Sequence, residues 1–146
     1  MNLQISSRLA IFALLELAAR PDRQVSVAEI GGKYGVSSHH LAKVMHALTR
    51  AGLVRSTRGA AGGYQFSGQA RRTTLLDVIG LFEKIGSVDG SAAEGKDGAE
   101  ERALRQVLGE IDDIAGATLG SITLATMLKL VERHRTGARR NARGAV

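Results

Sequence analysis

A chain of 146 residues with 44% hydrophobic residues can bury one core, but only 3% are aromatic, so aliphatic side chains must fill that core. The absence of cysteine excludes disulfides, cysteine-ligated zinc and cysteine-held clusters. The net charge of +6 is unevenly spread: residues 1–72 carry +7, residues 73–132 carry −6 and residues 133–146 carry +5. The basic first part predicts contact with a polyanion, with ordinary surface patchiness as the alternative.

The first predicted helix covers about residues 5–20 and is apolar on nearly every side. Such a helix needs two packing partners, and we expect a helix-turn-helix on one side and a second subunit on the other. The run from Leu9 to Ala19 contains Glu16, follows no basic cluster and is too short to cross a bilayer. We therefore expect a buried helix, no export signal, no membrane partner and a cytoplasmic protein.

A helix-turn-helix is predicted next. Ser26 and Glu29 form a capping-box pattern at the start of a short helix, and Gly35 supplies the turn after it. Ser37 or Ser38 caps a second helix, and Ser37 is also a candidate phosphate contact. Its inner face has apolar residues spaced three and four apart: Leu41, Val44, Met45 and Leu48. Its outer face starts with residues suited to the major groove, unless they are simply solvated: Ser38, His39, His40 and Lys43.

A β-hairpin is predicted after this helix, with strands at about residues 53–57 and 64–67 around a glycine-rich turn. Five hairpin residues are candidate DNA contacts: Arg55, Arg58, Gly59, Gly62 and Gly63. We favour Arg58 in the narrow minor groove, where negative potential is concentrated. The glycines let the backbone turn sharply and approach a phosphate. A nucleotide-binding loop is disfavoured because no Gly-Lys-Ser/Thr follows and no helix begins directly after the turn.

The second half is predicted to be helical, with helices at about residues 74–85, 100–115 and 118–134. The last of these has more apolar residues than one face needs, which suggests a two-fold interface between subunits. The arginine-rich end would add sequence-independent DNA affinity or only solubility. The chain then divides into a winged helix-turn-helix domain (1–85), a flexible loop (86–99), dimerisation helices (100–135) and a disordered basic tail (136–146). The predicted fold is mainly α with a small β-hairpin wing.

These motifs resemble one known family. Gly35-Val36-Ser37, then Arg50-Ala51-Gly52-Leu53-Val54, then Arg58-Gly59-Ala60-Ala61-Gly62-Gly63-Tyr64 are similar to the Rrf-two family of bacterial winged helix-turn-helix regulators. The resemblance covers about residues 3–134. It implies a homodimer bound to double-stranded DNA, with recognition helices in successive major grooves and wings directed to the minor groove. It also implies that the long last helix crosses the dimer.

The chain departs from the family pattern where many members hold an iron–sulfur cluster. Those members have three cysteines in the loop that corresponds to about residues 88–102, and some add a ligand from the first helix, where this chain has Arg8. Without cysteine we predict no cluster and no other cofactor. We also predict no metal site, because no histidines are paired at the i, i+4 spacing of a helical site. Acidic residues at 89–101 could take a hard cation, although a solvated loop is favoured.

The sequence therefore favours a dimeric, sequence-specific DNA-binding repressor. The alternative is a protein-interaction module of the same fold that docks a partner enzyme, with DNA binding secondary. An enzyme is disfavoured because no nucleophile–base pair, carboxylate dyad or cofactor loop is apparent. The regulatory signal stays open: a small molecule in a pocket between the first and last helices, a partner protein, or no ligand.

Overall fold

The computed structural model describes residues 1–59, 62–85 and 98–144. The described part is mostly helical, with one two-stranded antiparallel sheet, as the sequence predicted. The elements in chain order are α1 (Ile5–Ala19), α2 (Val27–Tyr34), α3 (Ser38–Arg50), β1 (Val54–Thr57), β2 (Gly63–Phe66), α4 (Leu75–Ile79), α5 (Ala99–Ser121) and α6 (Leu124–Gly144). No helix of this part is both long and apolar enough to span a bilayer.

Helix α1 forms the centre of the hydrophobic core. Leu14 and Leu17 are fully buried, and so are Ala10 and Ala13. The helix packs against α3, α4, α6 and β2 of its own chain. Helices α4 and α6 of the same chain therefore supply cover on the side where the sequence suggested a second subunit, and a subunit contact there stays a prediction.

The helix-turn-helix begins and turns as its sequence predicted. The Ser26 side chain accepts a hydrogen bond from the Glu29 amide at 3.1 Å, and the Glu29 carboxylate accepts one from the Ser26 amide at 3.0 Å. Gly35 ends α2 with a φ of 64°, a conformation that glycine adopts without strain. The Ser37 hydroxyl accepts a hydrogen bond from the His40 amide at 3.3 Å, so Ser37 rather than Ser38 caps α3.

Two adjacent glycines in α2 have different surroundings. A Cβ on Gly31 would lie 2.9 Å from the carbonyl oxygen of Val36, whereas a Cβ on Gly32 would meet nothing within 4 Å. The Val36 amide also donates a hydrogen bond to the Gly31 carbonyl at 3.0 Å. Gly31 therefore allows the chain after the turn to pass directly against α2, while Gly32 only lowers the helix propensity.

We expect opposite effects from alanine at these two positions. Gly31→Ala should lower the free energy of unfolding by about 1–3 kcal/mol, because backbone atoms must move to admit the methyl group. Gly32→Ala should raise it by about 0.5–1 kcal/mol, because alanine favours an exposed helical position over glycine. Urea denaturation followed by circular dichroism measures both. If both substitutions changed the free energy of unfolding by the same amount and in the same direction, the close approach of Val36 to Gly31 would be contradicted.

The wing is attached to the helix-turn-helix by backbone pairing. Strands β1 and β2 pair antiparallel, with Arg55 opposite Gln65. Val25, just before α2, exchanges two hydrogen bonds with Tyr64 of β2, at 2.9 and 2.8 Å. The wing and the start of α2 therefore share one hydrogen-bonded unit.

The helices of the second half differ from the predicted boundaries. Helix α4 ends at Ile79, and residues 80–85 form turns and bends rather than the predicted continuation of the helix. Helix α5 passes through Gly116 and ends at Ser121. The break lies at Ile122–Thr123 because this segment pairs with the start of α4. The Leu75 amide donates to the Ile122 carbonyl at 2.8 Å, and the Leu124 amide donates to the Thr73 carbonyl at 2.9 Å.

The basic end of the chain is helical rather than disordered. Helix α6 runs to Gly144, so the predicted disorder of residues 136–146 is wrong as far as position 144. Alanine and arginine have high helix propensity, and they offset the glycine at position 137. The predicted loop at residues 86–99 lies outside the described residues up to position 97.

An exposed apolar stripe lies on α5 rather than on α6. Met127, Leu128 and Val131 of α6 pack against the core of their own chain, so the predicted surplus on that helix is largely covered. By contrast, no residue of α5 is buried. Its stripe consists of side chains that are 46–68% exposed: Leu104, Val107, Leu108, Ile111 and Ile114.

Candidate nucleic-acid interface

Helix α3 has one buried and one exposed face. The predicted inner residues Leu41, Val44, Met45 and Leu48 are all at most 1% exposed. At 100° per residue, the direction opposite to them is occupied by four exposed side chains: His39, Lys43, His46 and Arg50. These four buried apolar side chains therefore fix the orientation of α3, so that it presents two imidazoles and two cations to solvent.

The first turn of α3 places the predicted contacts differently. Ser37, Ser38 and His39 are exposed beside the helix N-terminus, where free amides favour a phosphate. His40 is only half exposed, and its Nε2 is buried without a hydrogen-bond partner among the described residues. Because Nε2 of His40 is buried, this atom is unavailable to a base edge in this geometry.

The wing presents two arginines in different ways. The Arg55 guanidinium donates a hydrogen bond to the Gln65 side chain at 3.1 Å, and the Gln65 amide donates to the Pro21 carbonyl at 2.7 Å. Arg55 is thus exposed but oriented by its neighbour on β2. Arg58 follows β1, is exposed, and has no hydrogen bond or ion pair among residues 1–59, 62–85 and 98–144. It is therefore available to an external anion.

The predicted wing glycines shape the turn. Gly59 has a φ of 118°, and the Gly62 amide donates to the Gly59 carbonyl at 2.9 Å. A Cβ on Gly62 would lie 2.7 Å from the Thr57 carbonyl oxygen, and one on Gly63 would lie 2.7 Å from that of Val25. Gly62 and Gly63 are therefore required for packing of the hairpin against itself and against Val25.

His46 and Arg50 were absent from the sequence prediction of DNA contacts. A signal was available, because His39 and His46 are seven residues apart and so lie about 20° apart around a helix. The predicted contacts on this helix lie only in its first turns. The two imidazoles are two turns apart, too far for one metal ion, and the described residues contain no group of three or more potential metal ligands.

The arrangement of α1 to α3 and the wing is shared with known regulators. The family model described as "Rrf2: Iron-dependent Transcriptional regulator" matches residues 3–130. The chain belongs to the Rrf2 (Rrf-two) family. It is therefore a winged helix-turn-helix transcriptional regulator rather than an enzyme, as the resemblance indicated.

Rrf2 relatives match most of the chain. The HTH-type transcriptional regulator BadM of Rhodopseudomonas palustris is 48% identical over 145 residues, which cover 99% of this chain and 92% of that protein. The regulator IscR of Xenorhabdus nematophila is 32% identical over 133 residues, covering 88% and 80% respectively. Among solved structures, CymR, the global cysteine regulator of B. subtilis, has a TM-score of 0.74 at 27% identity, covering 89% of this chain and 98% of that chain.

Proposed function

We propose that this Rrf2 protein is a cytoplasmic, homodimeric repressor that binds specific double-stranded DNA without an iron–sulfur cluster. The observation that carries the proposal is the orientation of α3. Its apolar face is buried, and its opposite face presents His39, Lys43, His46 and Arg50 to solvent. Such a helix, inserted in the major groove, brings hydrogen-bonding and charged groups to base edges and phosphates.

The wing would supply a second contact with the same duplex. Arg58 is exposed, has no partner in the described part of the chain and lies on the hairpin that follows α3. A guanidinium is attracted to a narrow minor groove by its concentrated negative potential. Arg55 would contact the backbone from the strand, where Gln65 holds its side chain.

The α5 stripe supports a two-fold dimer. Five neighbouring apolar side chains that are each about half exposed favour burial against a second surface. In an isologous interface the same surface of both copies is in contact, and the apolar stripe of one copy would then pack against the apolar stripe of the other. Binding to successive major grooves would then require the two α3 helices to lie ~34 Å apart, one turn of duplex.

The donor set does not fit the iron–sulfur cluster that many members of the family hold. The whole chain lacks the thiolates that hold such clusters. On α1, where some relatives supply a further ligand, Arg8 is a cation whose guanidinium lies 6.0 Å from the Phe12 ring centroid. We therefore propose that iron is not sensed through a family-type cluster, and that the signal is a small molecule or a partner protein.

Selection of binding sites from random DNA by the purified full-length protein tests the function. We expect a palindromic motif with half-sites about one helical turn apart. Repeating the selection with cell extract would show whether an inducer releases the DNA. A selection without any motif, together with recovery of one stoichiometric partner enzyme, would favour the alternative in which the α5 stripe docks that enzyme.

A further inference from the structure

A cavity of about 480 Å³ lies between α1 and α6, with the end of α2 as part of its wall. Its apolar walls are formed by five side chains: Phe12, Leu15, Met127, Leu128 and Val131. This volume is within the range of small-molecule sites. Because the walls are apolar, the body of a ligand here would be apolar as well.

The cavity has a polar group on one side. The Tyr34 hydroxyl donates a hydrogen bond to the Glu16 carboxylate at 2.8 Å, and Lys33 forms an ion pair with the same oxygen. Burial opposes ionisation of Glu16, but these hydrogen bonds and the charges of Lys33 and Arg135 outweigh it, so its pKa lies below the ordinary value. Burial and the bond to Glu16 raise the pKa of the Tyr34 phenol. Glu16 is thus a carboxylate whose charge is already compensated.

Arg135 is the cation that lines this cavity. It lines the cavity near Glu16, yet it has no hydrogen bond or ion pair within the described part of the chain. Glu132 also lines the cavity, and both Glu132 and Arg135 are exposed to solvent, so solvent screens both charges. A ligand with one anionic group could therefore pair with Arg135 while its apolar body lies between α1 and α6.

The cavity touches the helix-turn-helix directly through Tyr34. Tyr34 is the last residue of α2 and precedes the Gly35 turn. Its ring stacks on Phe12 with centroids 5.1 Å apart and an angle of 23°. A molecule bound beside Phe12 would contact this stacked pair, and displacement of the Tyr34 ring would move the end of α2 relative to α1.

We propose that this cavity is the effector site and that it takes an amphipathic monoanion, with an apolar body and one carboxylate or sulfonate bound by Arg135. The ligand changes DNA affinity through Tyr34. This control of DNA binding rests on the proposed function, whereas ligand binding itself does not.

Binding is tested with 8-anilinonaphthalene-1-sulfonate, an apolar anion that fluoresces when bound, and three competitors of one shape: octanoate, octanol and octylamine. We expect octanoate to displace the probe most strongly and octylamine least.

Three variants test which residues bind the ligand. Arg135→Gln should weaken octanoate binding about tenfold or more, as loss of a charged hydrogen bond predicts. Leu128→Trp should fill the cavity and abolish saturable binding. Arg139→Gln, the same change on an exposed residue of α6 outside the cavity, should have no effect.

Equal competition by the three compounds, or unchanged octanoate binding in Arg135→Gln, would overturn the proposal. Probe binding that occurs only when Ile111→Asp separates the subunits would also overturn it, because the second copy would then occupy the cavity.

Coupling is tested with a selected DNA site. Octanoate should change the affinity of the wild-type protein for this DNA. Tyr34→Phe keeps the ring but loses the hydrogen bond to Glu16. This variant should still bind octanoate, but octanoate should change its DNA affinity less. If Tyr34→Phe loses both octanoate binding and the change in DNA affinity, Tyr34 is a binding residue, and its proposed role in transmitting the signal to the DNA-binding helices is contradicted. If no DNA site is found but octanoate binds through Arg135, the proposed function fails and the ligand site stands.

Discussion

Ile111→Asp is expected to convert the proposed dimer into monomers and to weaken operator binding by roughly 100-fold or more. Ile111 is 55% exposed in the single chain and lies in the middle of the α5 stripe. A two-fold interface would bury it twice, so a carboxylate there loses two apolar contacts and brings two like charges together. Sedimentation velocity measures the assembly, and fluorescence anisotropy with labelled operator measures binding.

Gln106→Asp is the matched control for this experiment. It introduces the same side chain on α5, but Gln106 lies about 140° from Ile111 around the helix and outside the stripe. The control should remain dimeric and bind the operator normally. If Ile111→Asp stays dimeric while it keeps its helical circular dichroism, the subunits associate through another surface.

Arg58→Ala is expected to weaken specific DNA binding by on the order of 1–3 kcal/mol for each wing. The cause would be loss of a guanidinium that is exposed and has no partner in the described residues. Because Arg58 makes no hydrogen bond or ion pair within the described part of the chain, the variant should unfold at the same urea concentration as the wild type. Anisotropy titrations on the selected site and on unrelated DNA would separate specific from general affinity.

Arg72→Ala is the matched control for the wing. Arg72 is also exposed, but it precedes Thr73, whose carbonyl accepts a hydrogen bond from the first residue of α6. It therefore belongs to neither α3 nor the wing, and its removal should leave specific binding nearly unchanged. Equal losses from both substitutions would mean that Arg58 contributes only to the overall positive charge.

Local chemistry made the helix-turn-helix predictable. The Ser26–Glu29 capping box, the Gly35 turn and the leucine face of α3 depend on residues within one or two turns of each other, and all are present in the structure. The wing was predictable for the same reason, since its strands and glycines are adjacent in sequence.

Features set by distant contacts were not predictable in this way. The break between α5 and α6 depends on pairing of Ile122 and Leu124 with residues 73–75 rather than on the nearby glycine at position 116. Gly31 and Gly32 have the same local propensity, and only the position of the Val36 carbonyl distinguishes them. The cover of α1 by α4 and α6 likewise depends on how separate helices pack.

The candidate site was predicted in part for a related reason. Residue types at the start of α3 indicated DNA contact, but the orientation of each side chain depends on which face is buried. The structure adds His46 and Arg50 to the exposed face and encloses Nε2 of His40. The DNA contacts themselves remain predictions.

The pairing of Val25 with Tyr64 limits how any signal can alter DNA recognition. These two residues exchange backbone hydrogen bonds, and the Val36 amide donates a hydrogen bond to the Gly31 carbonyl, so backbone contacts join the wing to the start of α2 and the end of α2 to the turn before α3. We expect the wing to move together with α3 because of these contacts, so that in the proposed dimer a signal would change the distance between the two DNA-binding units. Inducing conditions should therefore favour operators with altered spacer length while the preferred bases within each half-site stay the same.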